Sequence, residues 1–324
     1  MSSPLISGIH ALMLGVPDFA PLQRIFNKAL EWDVVDEATL ERDVCEQLWR
    51  TPSRAEVKVL ASRSVPYGRV HLCRFPDVTP VEIDAPDPRS FGFRAMNTYV
   101  RDMGEARARI EAAGGGWGAE TSFEIESVDG STQTVYQGRA LLPHGADLVF
   151  VMPTIARWTA AWSQDESVFC PEATSVVVAS CDADASKKFW GPGGLGLEIL
   201  YDTVQTNPGT NKMLGLEPDA AVRVVFGWGE KTARVEILGR VKDAYQHIVS
   251  PDITAQQRPG VGMGPIGWVI KVASLDDALA RMETTGGRLL LDRWRWTTRC
   301  TTSGRWRRCK HQRRPGCRFG RTAS

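Results

Sequence analysis

Gly8-Ile9-His10-Ala11-Leu12-Met13-Leu14-Gly15-Val16-Pro17-Asp18 reads as an apolar strand ending in an aspartate able to cap a helix over Phe19 to Leu30. The same plan returns 164 positions later, where Thr174-Ser175-Val176-Val177-Val178-Ala179-Ser180-Cys181-Asp182 leads into a helix that includes Ala185 to Trp190 and closes at Gly193-Gly194. A second version runs Met96-Asn97-Thr98-Tyr99-Val100-Arg101-Asp102, then a helix over Gly104 to Ala113 stopped by Gly114-Gly115-Gly116. Its copy is Gly267-Trp268-Val269-Ile270-Lys271-Val272-Ala273-Ser274, with a helix over Leu275 to Thr284 and a stop at Gly286-Gly287. The two offsets, 164 and 172 residues, are close enough to make one internal repeat.

Strand-like stretches follow these openings. After the first helix come Trp32 to Val35, Cys45 to Trp49, and a hairpin of Val57 to Ser62 with Arg69 to Phe75 about the turn Pro66-Tyr67-Gly68. After the third come Leu197 to Asp202, Val222 to Trp228 and Arg234 to Leu238. The unit is βαβββ, used four times, so the fold class is α+β.

Composition narrows the function classes. The 324 residues suit two domains, and no apolar run reaches the ~20 residues of a membrane helix. Met1 to Ser7 carries no secretion signal, which puts the expected location in the cytoplasm. Seven cysteines without a CxxC pair argue against a disulfide framework and a zinc knuckle. The net charge of +1 divides unevenly. Ten Arg and one Lys lie from Arg293 onward with no Asp or Glu, giving +11, which leaves 28 basic and 38 acidic side chains, or −10, before it.

Four βαβββ units with this strand, acidic cap and helix opening resemble the vicinal oxygen chelate superfamily, which includes glyoxalases, bleomycin-resistance proteins and extradiol dioxygenases. The resemblance covers about residues 5 to 292. It implies two open-cup sheets, each built from a pair of modules with a ligand inside. On this reading residues 5–153 hold modules 1 and 2 as one cup, 154–172 link, and 173–292 hold modules 3 and 4, incomplete, as the other.

The family's metal ligands lie on the first strand, seven residues before its terminal Asp, and on the last strand of a module. The first position falls here on Ala11, Ala95, Ser175 and Gly267. His10 is one residue off register, which turns its side chain to the other face. On the last strands Val149 stands at the usual Glu position, while His71 and Glu236 are equivalent in Arg69-Val70-His71 and Arg234-Val235-Glu236. The family's Fe or Mn therefore lacks ligands, and no metal-binding residue is assigned.

Strand alternation then puts Ala95, Asn97 and Tyr99 inside the first cup with His71 across from them, and Glu236 facing Lys271 in the second. His71, Tyr99, Glu236 and Lys271 are the candidate catalytic groups; Asn97, His144 and Trp268 are candidate substrate contacts. Such groups move a proton without a metal, so isomerisation, epimerisation or elimination of a small, aromatic or polycyclic metabolite is the first expectation. Sequestration of a hydrophobic compound, as in bleomycin-resistance relatives, is the second, and extradiol ring cleavage the third. The plain structural alternative is a solvated Glu236–Lys271 ion pair and a core histidine at His71. Because the first cup is complete in this sequence, His71 is expected to matter more than Glu236. The partner is a small molecule, with no membrane; a homodimer is admitted.

Residues 293–324 break the grammar. Arg293 to Ser324 has no period-two alternation and holds Trp294, Trp296 and Trp306 among its basic residues. A nucleic-acid arm fits the charge but not the Trp and Cys content. A frameshift in GC-rich coding DNA fits both, and makes this irregular tail dispensable.

Overall fold

The computed structural model describes residues 6–63, 65–79, 92–126, 132–145, 147–154, 159–229, 234–240 and 264–287. The basic tail at 293–324 lies outside them. Module 1 comprises β1 (Ile6–Val16), α1 (Ala20–Leu30), β2 (Trp32–Leu40), α2 (Arg42–Trp49), β3 (Ala55–Ser62) and β4 (Arg69–Arg74). Module 2 comprises β5 (Gly92–Tyr99), α3 (Met103–Ala113), β6 (Gly116–Glu126), β7 (Thr132–Leu141) and β8 (Asp147–Pro153). After α4 (Ala160–Gln164), module 3 follows as β9 (Ser175–Ser180), α5 (Ala183–Trp190), β10 (Glu198–Gln205), α6 (Pro208–Leu214), β11 (Val222–Trp228) and β12 (Arg234–Arg240). Of module 4, β13 (Gly264–Val272) and α7 (Leu275–Thr284) are described.

Local chemistry explains why the openings recur. Asp102 and Asp182 each accept the backbone N–H three residues on, at 2.9 Å, and Ser274 accepts that of Asp277 at 3.3 Å. Asp18 sits one residue before its helix cap and accepts from Ala20 at 3.2 Å. α1 buries Leu22, Ile25, Phe26, Ala29 and Leu30, the spacing of one helical face. The expected strand at Cys45 to Trp49 is instead the end of α2. There Val44 and Cys45 are buried while Glu46 and Gln47 point outward, a grouping of neighbours that strand alternation would split.

The sheets pair modules differently from the expected order. One sheet runs β10-β11-β12-β9-β5-β8-β7-β6 and joins module 2 to module 3. The other runs β13-β1-β4-β3-β2 and joins module 1 to module 4. Antiparallel contacts make the joins: Ala95 lies opposite Val177 and Asn97 opposite Ser175, while Leu12 lies opposite Trp268. The pairing of module 1 with 2 and 3 with 4 is thus corrected. Strand patterns specify which face is apolar, and any partner of the same face polarity satisfies them.

The helical faces of both sheets share one core, in which Leu12, Phe26, Met96, Phe150, Trp190 and Ile237 are buried together. Each such side chain contributes roughly 1.5–3 kcal/mol through burial. The two concave faces carry separate apolar clusters on opposite sides of that core. On the concave face of the five-stranded sheet, Cys45 of α2 packs with Met13, Val57, Val59, Cys73 and Phe75. Trp49 at the end of α2 donates to the Ile266 carbonyl at 3.3 Å, fastening the helix to β13. Among the described residues no helix is long and apolar enough to cross a membrane.

Candidate functional site

The concave face of the eight-stranded sheet holds a cavity of about 270 Å³, near the lower end of ligand pockets at roughly 300 Å³. β5 and β12 contribute Asn97 and Glu236, and Val149, Val177, Val224 and Leu238 supply apolar wall. α6 closes it from above. That helix follows β10 at one edge of the sheet and packs on β6 at the other, so it spans the cup and brings Met213 to the cavity. Asn207 caps α6 by accepting from Thr210 at 2.9 Å, with Pro208 in its first turn. Arg139 of β7 donates to the Met213 carbonyl at 3.0 Å and pairs with Asp147 of β8 at 2.6 Å.

Register places the polar groups. Asn97 is opposite Val149 on β8, and Glu236 is opposite Val177 on β9. In module 1 His71 lies opposite Met13, and Met13 and Val177 are 164 residues apart, so His71 and Glu236 hold the same place in their modules. The Asn97 amide nitrogen donates to a Glu236 carboxylate oxygen at 3.3 Å. Its own oxygen is buried and meets no donor among the described residues. Burial raises the Glu236 carboxyl above its ordinary range, and the Asn97 amide opposes part of that rise. Asp147 is also raised by burial, with Arg139 opposing.

The cup therefore brings together Asn97 and Glu236, which the expected module order assigned to different cups. Tyr99 shares their face, and its hydroxyl accepts from Arg234 at 2.6 Å beside the cavity. His71 is elsewhere. It lies on β4, on the face of Cys73 and Val59, across the central core from Glu236. Lys271 is exposed on β13 in the same five-stranded sheet, its ammonium 5.8 Å from the Tyr67 ring, so the expected Glu236–Lys271 juxtaposition does not form. Trp268 packs in the core against Phe93 and Trp190, with ring centroids 5.9 and 5.8 Å away. His144 occupies the Pro143–Gly145 turn with φ 65° and is not among the cavity's lining residues.

Arg139, Asp147, Thr210 and Met213 line the cavity and were not singled out from sequence. The Asn-Pro start of α6 was the available signal, since an amide cap followed by proline opens a helix.

A divalent metal, which the fold implies, does not fit this cup. Of the positions that the resemblance gives to metal ligands, Ala95, Val149 and Glu236 line this cavity; one is a carboxylate and two are hydrocarbon. Among the described residues no three His, Cys, Asp or Glu side chains gather for an ion.

His71 has a measurable consequence for stability. Burial, then the nearby His10 and Arg69 charges, push its pKa down to about 3. The unfolded chain protonates this histidine near pH 6.5, whereas the folded chain resists until about pH 3. Stability is therefore full above pH 6.5 and falls as pH drops through that window. Urea unfolding at pH 7 and pH 5 is expected to lose about 2 kcal/mol to this group. His71→Gln should flatten that dependence, and an unchanged slope would contradict the burial argument.

No family model matches the chain, and no curated protein sequence matches it. Among solved structures it is similar to two mutant forms of glyoxalase I from Zea mays. One is 15% identical with a TM-score of 0.51, covering 86% of this chain and 80% of that one. The other is 14% identical with a TM-score of 0.50, covering 86% and 79%. At such identities the likeness is one of fold.

Proposed function

We propose that this chain, which has the fold of the vicinal oxygen chelate superfamily, is an enzyme that transfers a proton on a small organic molecule without a metal. The observation that carries the reading is Glu236, half-buried beside a cavity, raised by burial and held by Asn97 at 3.3 Å. A carboxyl raised toward neutrality is a stronger base when ionised and readily returns the proton it takes. Glu236 would remove a proton from carbon next to a carbonyl and deliver it to a second position on the same face of the intermediate. Asn97 would orient the carboxylate, and the hydrocarbon wall would keep water from competing. The product is an isomer, so atoms and charge balance without a co-reactant.

The test is deuterium wash-in. In D2O the wild-type protein is expected to exchange a carbon-bound hydrogen of at least one member of a panel of uncharged aryl ketones, with and without a ring O–H or N–H, read by mass spectrometry, and Glu236→Gln to remove that exchange. Exchange that survives the substitution, or a wild-type protein that exchanges nothing, would overturn the reading. Tight binding without exchange would support sequestration instead. That second reading draws on the pairing of Asp147 with Arg139, which leaves the cavity without a second uncommitted acid.

A further inference from the structure

The Asn97 side chain constrains what enters the cavity, on the same reading that this cavity is the ligand site. Asn97 is only 5% exposed. The amide nitrogen of Asn97 donates to Glu236, which leaves the amide oxygen to other partners. That oxygen is buried and meets no donor among the described residues, as is the hydroxyl of Thr210 on α6. A buried acceptor left unsatisfied costs about 1–3 kcal/mol, so such atoms are rare unless a ligand completes them.

The remaining lining restricts charge and polarity. Val149, Val177, Val224, Leu238 and Met213 offer hydrocarbon. Arg139 is spent on Asp147 and on the Met213 carbonyl. An anionic head group at Asn97 would meet an acceptor oxygen and the Glu236 carboxyl. A cationic one would enter past Arg94 and Arg139, which line the same cavity.

We infer that the ligand is a small, uncharged, largely apolar ring compound that donates one hydrogen bond, from a ring N–H or a phenolic O–H, to the side-chain oxygen of Asn97. Thr210 provides a second neutral contact from the closing helix. Selection is then by the donor and by burial of the ring, since a compound lacking the donor leaves the Asn97 oxygen unsatisfied.

Matched probes test this by calorimetric titration of the whole protein: indole against 1-methylindole, and 2-naphthol against 2-methoxynaphthalene and 2-naphthoate. In each pair the donor is expected to bind at least tenfold more tightly than its methylated partner, and 2-naphthol more tightly than 2-naphthoate. Asn97→Ala should bring the paired affinities to within about twofold. The ratio is taken within one preparation, and the wild-type ratio decides even if that variant does not fold. Equal affinities in the wild-type protein would mean that water satisfies Asn97. That result, tighter binding of the naphthoate, or no binding of any donor probe would overturn the inference. Binding is read without turnover, so failure of the proton-transfer reading would leave the ratios intact and show only in the deuterium experiment.

Discussion

Replacing Trp32 with alanine is expected to cost the fold about 3–5 kcal/mol, the usual penalty for deleting a large aromatic core side chain. Trp32 is fully buried at the start of β2, with its ring 5.4 Å from that of Phe26. Its indole N–H donates to the Cys170 carbonyl at 3.2 Å, and the Ser62 hydroxyl donates to the same oxygen at 3.2 Å. The loss should therefore exceed that of Trp32→Phe, which keeps an aromatic ring and gives up mainly one hydrogen bond, about 1 kcal/mol. The residues just beyond carry the effect toward the cup. Ala173 N–H donates to the Gly68 carbonyl at 3.0 Å, and Thr174 N–H donates to the Asn97 carbonyl at 2.8 Å. Gly68 has φ +59°, and a Cβ there would stand 2.2 Å from the Ala173 carbonyl oxygen, so this crossing is tight. Against a typical total stability of 5–15 kcal/mol, the alanine variant should shift the urea midpoint strongly at unchanged slope. A loss under about 1 kcal/mol would show that the crossing is not a structural keystone.

The second large effect separates two residues that hold equivalent places in their modules. Glu236→Gln is expected to slow deuterium wash-in at least about 100-fold, the lower end of what a positioned acid–base group supplies. His71→Gln should leave that rate within about twofold near pH 7, where His71 is neutral in the folded protein and its protonation costs no stability. The order is the reverse of the one expected from the sequence, which set His71 beside Asn97 and Tyr99. The reason is the exchange of module partners. With β5 paired to β9, Asn97 meets Glu236, and His71 stands behind the central core in the cup where α2 packs. If His71→Gln abolished exchange and Glu236→Gln did not, the site would belong in the other cup.

Much of the architecture could be read directly because its causes are local. Asp102, Asp182 and Ser274 close hydrogen bonds to N–H groups three residues away, and α3 buries Ala106, Ile110 and Ala113 at helical spacing. The likeness between Arg69-Val70-His71 and Arg234-Val235-Glu236 was also visible, since both are last strands with one register to their first strands. Helix α2 does not follow from the stretch Cys45 to Trp49 alone, because five residues are too few to separate the two periods; the burial of Val44 beside Cys45 does so. α6 passed unnoticed, and with it the closing of the cup.

Strand, cap and helix were legible in the chain because each is completed within a few residues of backbone. Partner choice was not. A parallel first-to-last strand pair inside a module, such as β5 with β8, is closed through α3, β6 and β7 of that same module, with alternating faces to set its register. The antiparallel join of β5 to β9 depends on whole surfaces that meet only after the helices have packed. That join turns Asn97 toward Glu236 and leaves a cavity under α6, while the join of β1 to β13 forms the cup in which α2 packs.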